Sequence, residues 1–311
     1  MLGQFKTLPQ LLDYFRDELV CKDYLATHRW NGNTTCPFCG HDHIYITNRG
    51  YKCASKACHK KFSVTVGTIF ENTKLPLRTW YAAIYLVTSH KKGISSLQLA
   101  RDLGVDKKNA WFLLHRIRET FFDETPKLLT DVVSVDETFV GGKNKNRHAD
   151  KKKENSQGGH SDDKTIVMGA MQIGGIVVTQ IVPDRTADTL LPILDKVIVK
   201  GSMVVTDEHT GYFRVCDNFF HIAVNHKQGM YTKNAFSTNN IEGFWSLFKR
   251  GYIGIYHWMS PIHLDRYLKE FSYRYNSRTI ADMNRFSDTV TRSNGKRLTW
   301  NRLTRKDVAA I

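Results

Sequence analysis

The sequence predicts an α/β protein in which a mixed β-sheet with helical cover follows smaller N-terminal modules. Short β-branched runs at 132–136 and 202–207 indicate two buried strands. Between them, apolar runs at 165–171 and 176–182 are separated by a Gly-Gly pair, which predicts a β-hairpin. A strand, a hairpin, a helix and a further strand in this order are typical of a mixed sheet packed against helices.

Two of the covering helices are predicted from start signals followed by apolar residues at helical spacing. One begins after Thr186, a residue type that commonly caps helix N-termini, and its apolar residues are Leu190, Leu191, Leu194 and Val197. The other begins at Ser260 and Pro261, as N-cap and first-turn proline. Because Glu270 and Arg274 lie four residues apart on it, we expect a surface ion pair there.

A third helix, over 239–249, separates into two faces. Its apolar stripe consists of Ile241, Phe244, Trp245 and Phe248. Its polar stripe consists of Asn239, Glu242, Ser246 and Lys249. Packing the apolar stripe on the sheet would hold Glu242 at the edge of the core.

Three carboxylates therefore lie next to the predicted core: Asp136 and Asp207 at the ends of strands, and Glu242 on the helix. Alone, each is typical of an N-cap, a turn or a solvated helix position. Together, in this order of elements, they favour a site for Mg²⁺ or Mn²⁺, which prefer oxygen ligands, rather than for zinc. Two such ions promote in-line phosphoryl displacement, which indicates an enzyme that cuts and rejoins nucleic acid.

The charge balance agrees with a nucleic-acid partner. Forty-five Lys and Arg against 30 Asp and Glu give a net charge of +15, which favours a polyanion, although a net charge also serves solubility. The basic residues cluster at 143–153 and 296–306. The first cluster, with Lys143 and Lys145, lies in a polar insertion over 141–164, which we expect either to order on DNA or to remain a solvated loop.

The length predicts two or three domains. The longest apolar stretch, around 81–87, is too short to cross a bilayer, and no signal-peptide pattern opens the chain. We therefore expect no membrane association and a cytoplasmic protein associated with DNA in the nucleoid.

Four of the six cysteines are spaced as metal ligands. Cys36 and Cys39 form one pair and Cys53 and Cys58 the other, a spacing that predicts a zinc ribbon with a structural Zn²⁺ rather than free thiols. Such a small module has too little core to fold alone, so the metal would stabilise it. The alternative ligands are His43 and His59, and the remaining cysteines, Cys21 and Cys216, are expected to be buried.

A helix-turn-helix unit is predicted between the ribbon and the sheet, with helices over 97–103 and 107–118 and a turn between them. The residues expected to be more exposed on the second helix are Lys107, Lys108, Asn109, His115 and Arg116. The first three would lead this helix into the major groove, with Arg116 as a further DNA contact. Plain helical hairpins are commoner, but the ribbon and the positive charge favour DNA.

Three blocks of the sequence, 134–143, 206–212 and 239–251, resemble the DDE transposases of bacterial insertion sequences. More narrowly, they resemble the ISXO-type subgroup with an N-terminal zinc ribbon, relatives of the eukaryotic Merlin transposases. The resemblance runs from about Leu11 to Arg278 and implies an RNase H-like catalytic domain. It implies binding of terminal inverted repeats, cleavage of the element ends and joining of 3′ hydroxyls to target DNA, by a homodimer or higher homo-oligomer on double-stranded DNA.

The same resemblance assigns the acidic residues. Asp136 and Asp207 would hold the metal ions and Glu242 would complete one ion's ligands. Asn239 is an alternative to Glu242 or its helper, and Lys249 matches the family's downstream lysine. One departure is Ser237, where the family pattern leads us to expect a histidine. Further expected DNA contacts are Lys143, Lys145 and Arg250.

These predictions define five regions. They are an N-terminal helical segment (1–30), the zinc ribbon (31–66), the helix-turn-helix domain (67–125), the catalytic domain (126–285) and a basic C-terminal tail (286–311). Two other functions remain open: a domesticated regulator that binds DNA through the ribbon and helix-turn-helix without catalysis, and a related RNase H-like nuclease that cuts without joining.

Overall fold

The chain forms two units, one of which is built from both of its ends. The computed structural model describes residues 5–48, 50–123, 128–142, 150, 164–224 and 237–305. One unit comprises Met1–Phe122 with Thr279–Ile311, and the other is Asp123–Arg278. The five predicted regions stay a prediction, and the residues from Thr279 onward group with Met1–Phe122.

The secondary structure contains ten α-helices and eight strands within the described residues. The helices are α1 (Leu8–Tyr14), α2 (Glu18–Trp30), α3 (Leu77–Ser89), α4 (Ser96–Leu103), α5 (Lys107–Glu119), α6 (Ala187–Val197), α7 (Asn239–Gly251), α8 (Leu264–Asn276), α9 (Asp282–Thr291) and α10 (Trp300–Thr304). The strands are β1 (Ile44–Thr47), β2 (Gly50–Cys53), β3 (Lys61–Phe62), β4 (Val132–Val140), β5 (Thr165–Gln172), β6 (Val177–Val182), β7 (Met203–Thr206) and β8 (Phe220–Ala223).

Aromatic packing explains why the C-terminal residues join the first unit. Phe286 of α9 is completely buried, and its ring lies 5.2 Å from Phe5, 6.0 Å from Phe15 and 5.5 Å from Tyr81, centroid to centroid. The ring of Phe286 therefore fills the centre of a core that the N-terminal helices surround. Aromatic rings dominate the energetics of such cores, so α9 is needed to close this one.

The helix-turn-helix arrangement is present as predicted. Ser95 caps α4 through a hydrogen bond from the Gln98 amide, and Asp106 caps α5 through the Lys108 amide. Gly104 ends α4 with φ at +64°, a left-handed conformation that glycine adopts readily. These caps set the short turn between the helices.

The second unit contains a five-stranded mixed sheet with the order β6-β5-β4-β7-β8. The hairpin β5–β6 and the pair β4–β5 are antiparallel, whereas β4–β7 and β7–β8 are parallel. Alternate residues of β5 belong to different cores: Met168 and Ala170 pack with α6, while Val167 and Met171 pack with α7 and α8. The predicted α/β sheet with helical cover is confirmed.

Two local predictions for this unit need correction. Thr186 stands at the N-cap of α6, but its hydroxyl donates to Asp184 Oδ1 at 2.6 Å and makes no cap hydrogen bond. Glu270 and Arg274 do not form a surface pair, because their ion pair is buried, with side chains 0% and 4% exposed. None of the helices in the described part of the chain is long and apolar enough to span a membrane.

Candidate active site and zinc centre

Asp136 and Asp207 lie at the same level of the central sheet. The sequence predicts that the strand with Asp136 ends at this residue. Instead, β4 continues to Val140, because β5 pairs with it over that length. Its parallel partner β7 ends earlier, and the last pair between them is Ser134 with Val205. Continuing this register by two residues places Asp136 beside Asp207, where the parallel part of the sheet opens.

Helix α7 lies against the strand position opposite Asp136. Asp136 pairs with Gly169 of β5, and residues directly opposite each other on antiparallel strands project to the same face. A β carbon on Gly169 would lie 2.5 Å from Trp245 Cζ2 and 3.0 Å from Ile241 Cδ1. Since Trp245 and Ile241 belong to α7, the Asp136 side chain projects to the face that this helix covers.

The polar stripe of α7 carries Glu242 on its exposed side. The apolar stripe is buried as predicted, with Ile241, Phe244, Trp245 and Phe248 at most 3% exposed. Thr238, buried before the helix, donates its hydroxyl to Glu242 Oε1 at 2.7 Å. This hydrogen bond orients the carboxylate at the start of α7.

The charges of Asp207 and Glu242 both contribute to the electrostatics of Asp136. Burial raises the pKa of the Asp136 carboxyl most, and the negative charges of Asp207 and Glu242 add to it, to about 6. The Glu137 backbone N–H and the positive charge of Lys249 act in the opposite sense. The pKa of Asp136 is therefore affected by the charges of both other predicted ligands and of the predicted downstream lysine.

The turn after β7 fixes Asp207. The His209 backbone N–H donates to Asp207 Oδ1 at 3.0 Å, and the Gly211 N–H donates to His209 Nδ1 at 3.1 Å. The Thr206 hydroxyl donates to the Asp207 carbonyl at 2.7 Å and lies 2.9 Å from His221 Nε2. One carboxylate oxygen of Asp207 is thus held by the backbone of its own turn.

A fourth carboxylate, Glu137, was missed by the sequence analysis. Its side chain is 2% exposed, its Oε2 lies 4.0 Å from Arg185 Nη1, and its Oε1 is buried without a hydrogen-bond partner. Burial, followed by the charges of Asp207 and Asp136, raises its pKa to about 8, and Arg185 lowers it. Strand alternation could have revealed this residue, because Glu137 projects to a buried face of the sheet if β4 continues past Asp136.

The other predicted active-site residues lie on or near α7. Asn239, Lys249 and Arg250 are exposed on this helix, and Arg250 Nε donates to the Ser246 carbonyl at 3.2 Å. Ser237, where a histidine was expected, accepts a 3.4 Å hydrogen bond from Ser134 at its carbonyl. Lys143 and Lys145, with most of the predicted insertion, lie outside the described residues.

The four predicted zinc ligands converge. Cys36 Sγ lies 3.8 Å from Cys58 Sγ, Cys39 Sγ lies 3.6 Å from Cys53 Sγ, and all four sulfurs lie within 4.8 Å of one another. Zinc–sulfur bonds of about 2.3 Å in a tetrahedron give sulfur separations of about 3.8 Å, so the cluster fits zinc. In the described part of the chain, no other group of three or more such ligands is gathered this tightly.

The surroundings of the four cysteines act on their thiols differently, and the rest of the ribbon is small. Burial raises the pKa of Cys36, but the backbone N–H groups of Phe38 and Cys39 together with the thiols of Cys39 and Cys58 outweigh it, so that this pKa lies below its usual value. Burial raises the pKa of Cys53 to about 12. Around the metal site, the buried apolar residues are Cys36, Cys53 and Phe62, with few others packed against them. Of the remaining cysteines, Cys21 is buried as predicted, whereas Cys216 is exposed.

The helix-turn-helix residues fall into two groups. Lys107, Lys108 and Asn109 are exposed at the start of α5, and Lys108 Nζ lies 4.7 Å from the centre of the Trp300 ring. His115 and Arg116 are buried, so the prediction that they are exposed is wrong. They lie on the turn of α5 that packs into the helical core, which the apolar spacing of this helix did not reveal.

The contacts of Arg116 indicate a structural role. Its guanidinium donates to the Glu71 carbonyl at 2.6 Å and lies 5.0 Å from the Trp80 ring and 5.3 Å from the Phe112 ring. Burial lowers its pKa to about 10, which leaves it charged at neutral pH. A buried guanidinium stacked in this way cannot contact DNA, which removes Arg116 from the predicted contacts.

Comparison with known proteins identifies the family of the chain. Residues 128–276 match the ISXO2-like transposase domain, and residues 16–61 match the transposase zinc-ribbon domain. An uncharacterized protein in the transposable element ISH50 of Halobacterium salinarum is 26% identical over 281 residues, covering 84% of this chain and 91% of that protein. An uncharacterized transposase-like protein of Haemophilus influenzae is 33% identical over 106 residues, covering 33% of this chain and 84% of that protein.

The first domain match contains Asp136, Asp207 and Glu242, and the second contains the four clustered cysteines. The matches follow the same order as the two structural features, with the cysteine cluster ahead of the mixed sheet. The chain therefore belongs to the ISXO2-like transposases of insertion sequences and carries the family's N-terminal zinc ribbon.

Proposed function

We propose that this transposase cleaves the ends of its element and joins the freed 3′ hydroxyls to target DNA at a site formed by Asp136, Asp207 and Glu242. The observation that carries this proposal is the placement of Asp136 level with Asp207 on the face covered by α7. Glu242 projects from that helix, and its charge reaches Asp136. These relations support one site to which three separate elements each contribute an acid.

The donor set fits Mg²⁺ or Mn²⁺. Burial and, to a lesser degree, the like charges of Asp207 and Glu242 raise the pKa of Asp136 to about 6, so a divalent cation would relieve the repulsion among the three carboxylates. Asp136 and Asp207 would hold the ions and Glu242 would complete one ligand set. When bound, two such ions activate the attacking oxygen and stabilise the leaving oxygen of a phosphodiester.

The chain's own residues would position the DNA strand and the acids. Thr238 orients Glu242, and the His209 amide holds one oxygen of Asp207, leaving its other oxygen for a ligand. Lys249, one end of the polar stripe, supplies a positive charge near Asp136 for the scissile phosphate. Asn239, three residues before Glu242 on the same stripe, is the other proposed third ligand.

Binding of the element ends is proposed for the N-terminal unit. Lys107, Lys108 and Asn109 are exposed at the start of α5, where the recognition helix of such a unit enters the major groove. Terminal inverted repeats of double-stranded DNA are the proposed ligand, with Arg250 as a contact near the acids. Because two ends react together, we propose at least a dimer on DNA, associated with the nucleoid.

The test uses purified protein with the DNA that flanks its gene, in the presence of Mg²⁺ or Mn²⁺. We expect cuts at repeat termini and joined products with the wild type, and neither with Asp136→Asn or Glu242→Gln. Glu208→Gln is the matched control, because Glu208 is an exposed carboxylate adjacent to Asp207. Comparing Asn239→Ala with Glu242→Gln identifies the third ligand.

The outcomes separate the alternatives. Full cleavage by Asp136→Asn would exclude this acidic site. Cuts without joined products would favour a nuclease. DNA binding without cuts, by the wild type and the variants alike, would favour a DNA-binding regulator.

A further inference from the structure

Three large apolar side chains are exposed in the segment that follows α7. The side chains of Ile253, Trp258 and Ile262 are 68%, 62% and 53% exposed. Several large exposed apolar side chains within ten residues indicate a binding surface more often than a single exposed residue does. We call this surface the 253–262 patch, and it belongs to the same unit as the acidic site.

The backbone of the patch is unusual in two ways. Tyr252–Tyr256 forms a π-helical turn, a rare conformation that is frequently found at functional sites. His257, which ends it, has φ at +58° and ψ at −34°, a region that residues other than glycine rarely adopt. Trp258 lies just beyond this turn, and its backbone N–H donates to the Tyr256 carbonyl at 2.6 Å, which keeps Trp258 next to the end of the π-helical segment.

Contacts with buried residues anchor this segment to the core. The Tyr256 hydroxyl donates to Glu270 Oε1 at 2.7 Å, and Glu270 is ion-paired with Arg274 inside the core. Met259, next to Trp258, is 3% exposed and packs in the same core as α7 and α8. Trp258 is therefore presented to solvent by an anchored turn.

The charge next to the patch indicates its ligand. No carboxylate occurs in the sequence between Glu242 and Asp265, whereas Lys249 and Arg250 end α7 immediately before the patch. An apolar, aromatic surface beside cations matches single-stranded nucleic acid, because bases stack on the aromatic ring and phosphates pair with the cations. A symmetric contact of this patch with itself in a second copy would bring the same cations together without a carboxylate between them, which disfavours that occupant.

We propose that Trp258 and Ile253 bind unstacked bases of a DNA strand whose phosphates Lys249 and Arg250 hold beside the acidic site. The patch therefore takes DNA with a frayed or single-stranded end in preference to a fully paired duplex. Its position relative to the cut rests on the proposed function, but the binding itself does not.

The test measures DNA binding by fluorescence anisotropy without added Mg²⁺ or Mn²⁺, using the full-length, zinc-loaded protein. The probes are a labelled duplex with a single-stranded end and the same duplex fully paired. We expect Trp258→Ala to weaken binding of the single-stranded end on the order of tenfold and to change binding of the paired duplex little. Trp258→Phe, which keeps a stacking ring, should retain most of the affinity.

The matched control is Phe220→Ala. Phe220 is 69% exposed on β8 of the same unit, so its removal subtracts a similar exposed ring from a different place. We expect this variant to bind both probes like the wild type. Since Trp258 is an exposed side chain, thermal unfolding should also be unchanged, and Ile253→Ser provides a second variant if Trp258→Ala unfolds early.

Two results would overturn the proposal. The first is equal binding of the single-stranded end by wild type and by both Trp258→Ala and Ile253→Ser. The second is a loss of oligomer mass in sedimentation for Trp258→Ala without any change in DNA affinity, which would make the patch a contact between copies. Failure of the proposed function is seen separately, as cleavage by Asp136→Asn, and leaves these binding results unaffected.

Discussion

Gly169 of β5 lies directly under Trp245 of α7, so that a β carbon on the glycine would be 2.5 Å from Trp245 Cζ2. Gly169 is also the cross-strand partner of Asp136. The absence of a side chain at this position therefore sets how closely the helix with Glu242 approaches the strand with Asp136. The spacing between Asp136 and Glu242 therefore depends on the absence of a β carbon at Gly169.

We predict that Gly169→Ala displaces α7 and abolishes DNA cleavage while leaving the zinc ribbon intact. The added methyl overpacks a core contact, which costs about 1–3 kcal/mol of unfolding free energy. Chemical denaturation and a cleavage assay with Mn²⁺ would measure the two effects. Cleavage at the wild-type rate would show that the distance between α7 and β4 is not critical.

Gly243→Ala is the matched control on the same helix. A β carbon at Gly243 meets no atom within 4 Å, although this residue follows Glu242 directly. Alanine in a helix interior is about 1 kcal/mol more favourable than glycine, so we expect a more stable protein with its catalytic acids undisturbed. Loss of cleavage in this variant would indicate that DNA approaches α7 closely at Gly243.

The buried carboxyl of Glu137 predicts a specific pH dependence of stability. Burial and the nearby aspartates raise its pKa to about 8, above its ordinary value of 4.5, so the folded protein binds the proton more tightly than the unfolded chain. Stability should therefore fall as pH rises from about 4.5 to about 8. Glu137→Gln removes this charge and should be more stable than the wild type at pH 8.

Denaturant unfolding at pH 5 and pH 8, with zinc bound and no other divalent metal added, would measure this effect. The difference between Glu137→Gln and the wild type should be larger at pH 8 than at pH 5. Asp184→Asn is a suitable control, because hydrogen bonds from Thr186 lower the pKa of this partly exposed carboxyl. An equal difference at both pH values would show that Glu137 stays ionised when folded.

Periodicity predicted the elements of the site but not all of its geometry. The stripe of α7 and the alternation of β5 repeat over short windows, so both could be found in the sequence. The extension of β4 to Val140 depends on its partner β5, and such pairing is not local. Glu137 was missed for this reason, since its burial follows from that extension.

Burial of charged residues was the other source of error. Arg116 and the pair Glu270–Arg274 were expected on the surface because charged residues usually lie there. Each is buried with a specific partner, a carbonyl for Arg116 and an ion pair on α8. Likewise, Phe286 lies far in sequence from Phe5, and no local pattern indicates that the two rings meet.

Zinc removal provides a third prediction. We expect Cys53→Ser to lose the metal and unfold the ribbon, because Cys53 is completely buried and the ribbon has few other core residues. The sheet of the Asp123–Arg278 unit should remain folded. Elemental analysis of zinc and limited proteolysis within 31–66 would measure the two effects.

The control for this prediction is Cys216→Ser, since Cys216 is exposed and lies outside the cluster. It should retain the wild-type zinc content and proteolysis pattern. Normal zinc content in Cys53→Ser would show that a neighbouring histidine can replace this ligand.

Lys107 and Arg116 lie on the same helix but should behave oppositely when replaced. Lys107 is exposed, and Lys107→Gln should weaken binding to duplex DNA and reduce the salt slope of the affinity by about 1, the effect of one lost phosphate contact. Arg116→Met leaves the Glu71 carbonyl without its donor and should cost about 1–3 kcal/mol of stability, without changing the salt slope of the folded protein.

The control for the change in net charge is Lys22→Gln, because Lys22 is exposed on α2. A reduced salt slope in Arg116→Met would mean that this guanidinium reaches DNA in the complex, and an unchanged slope in Lys107→Gln would place the DNA contact elsewhere than the start of α5.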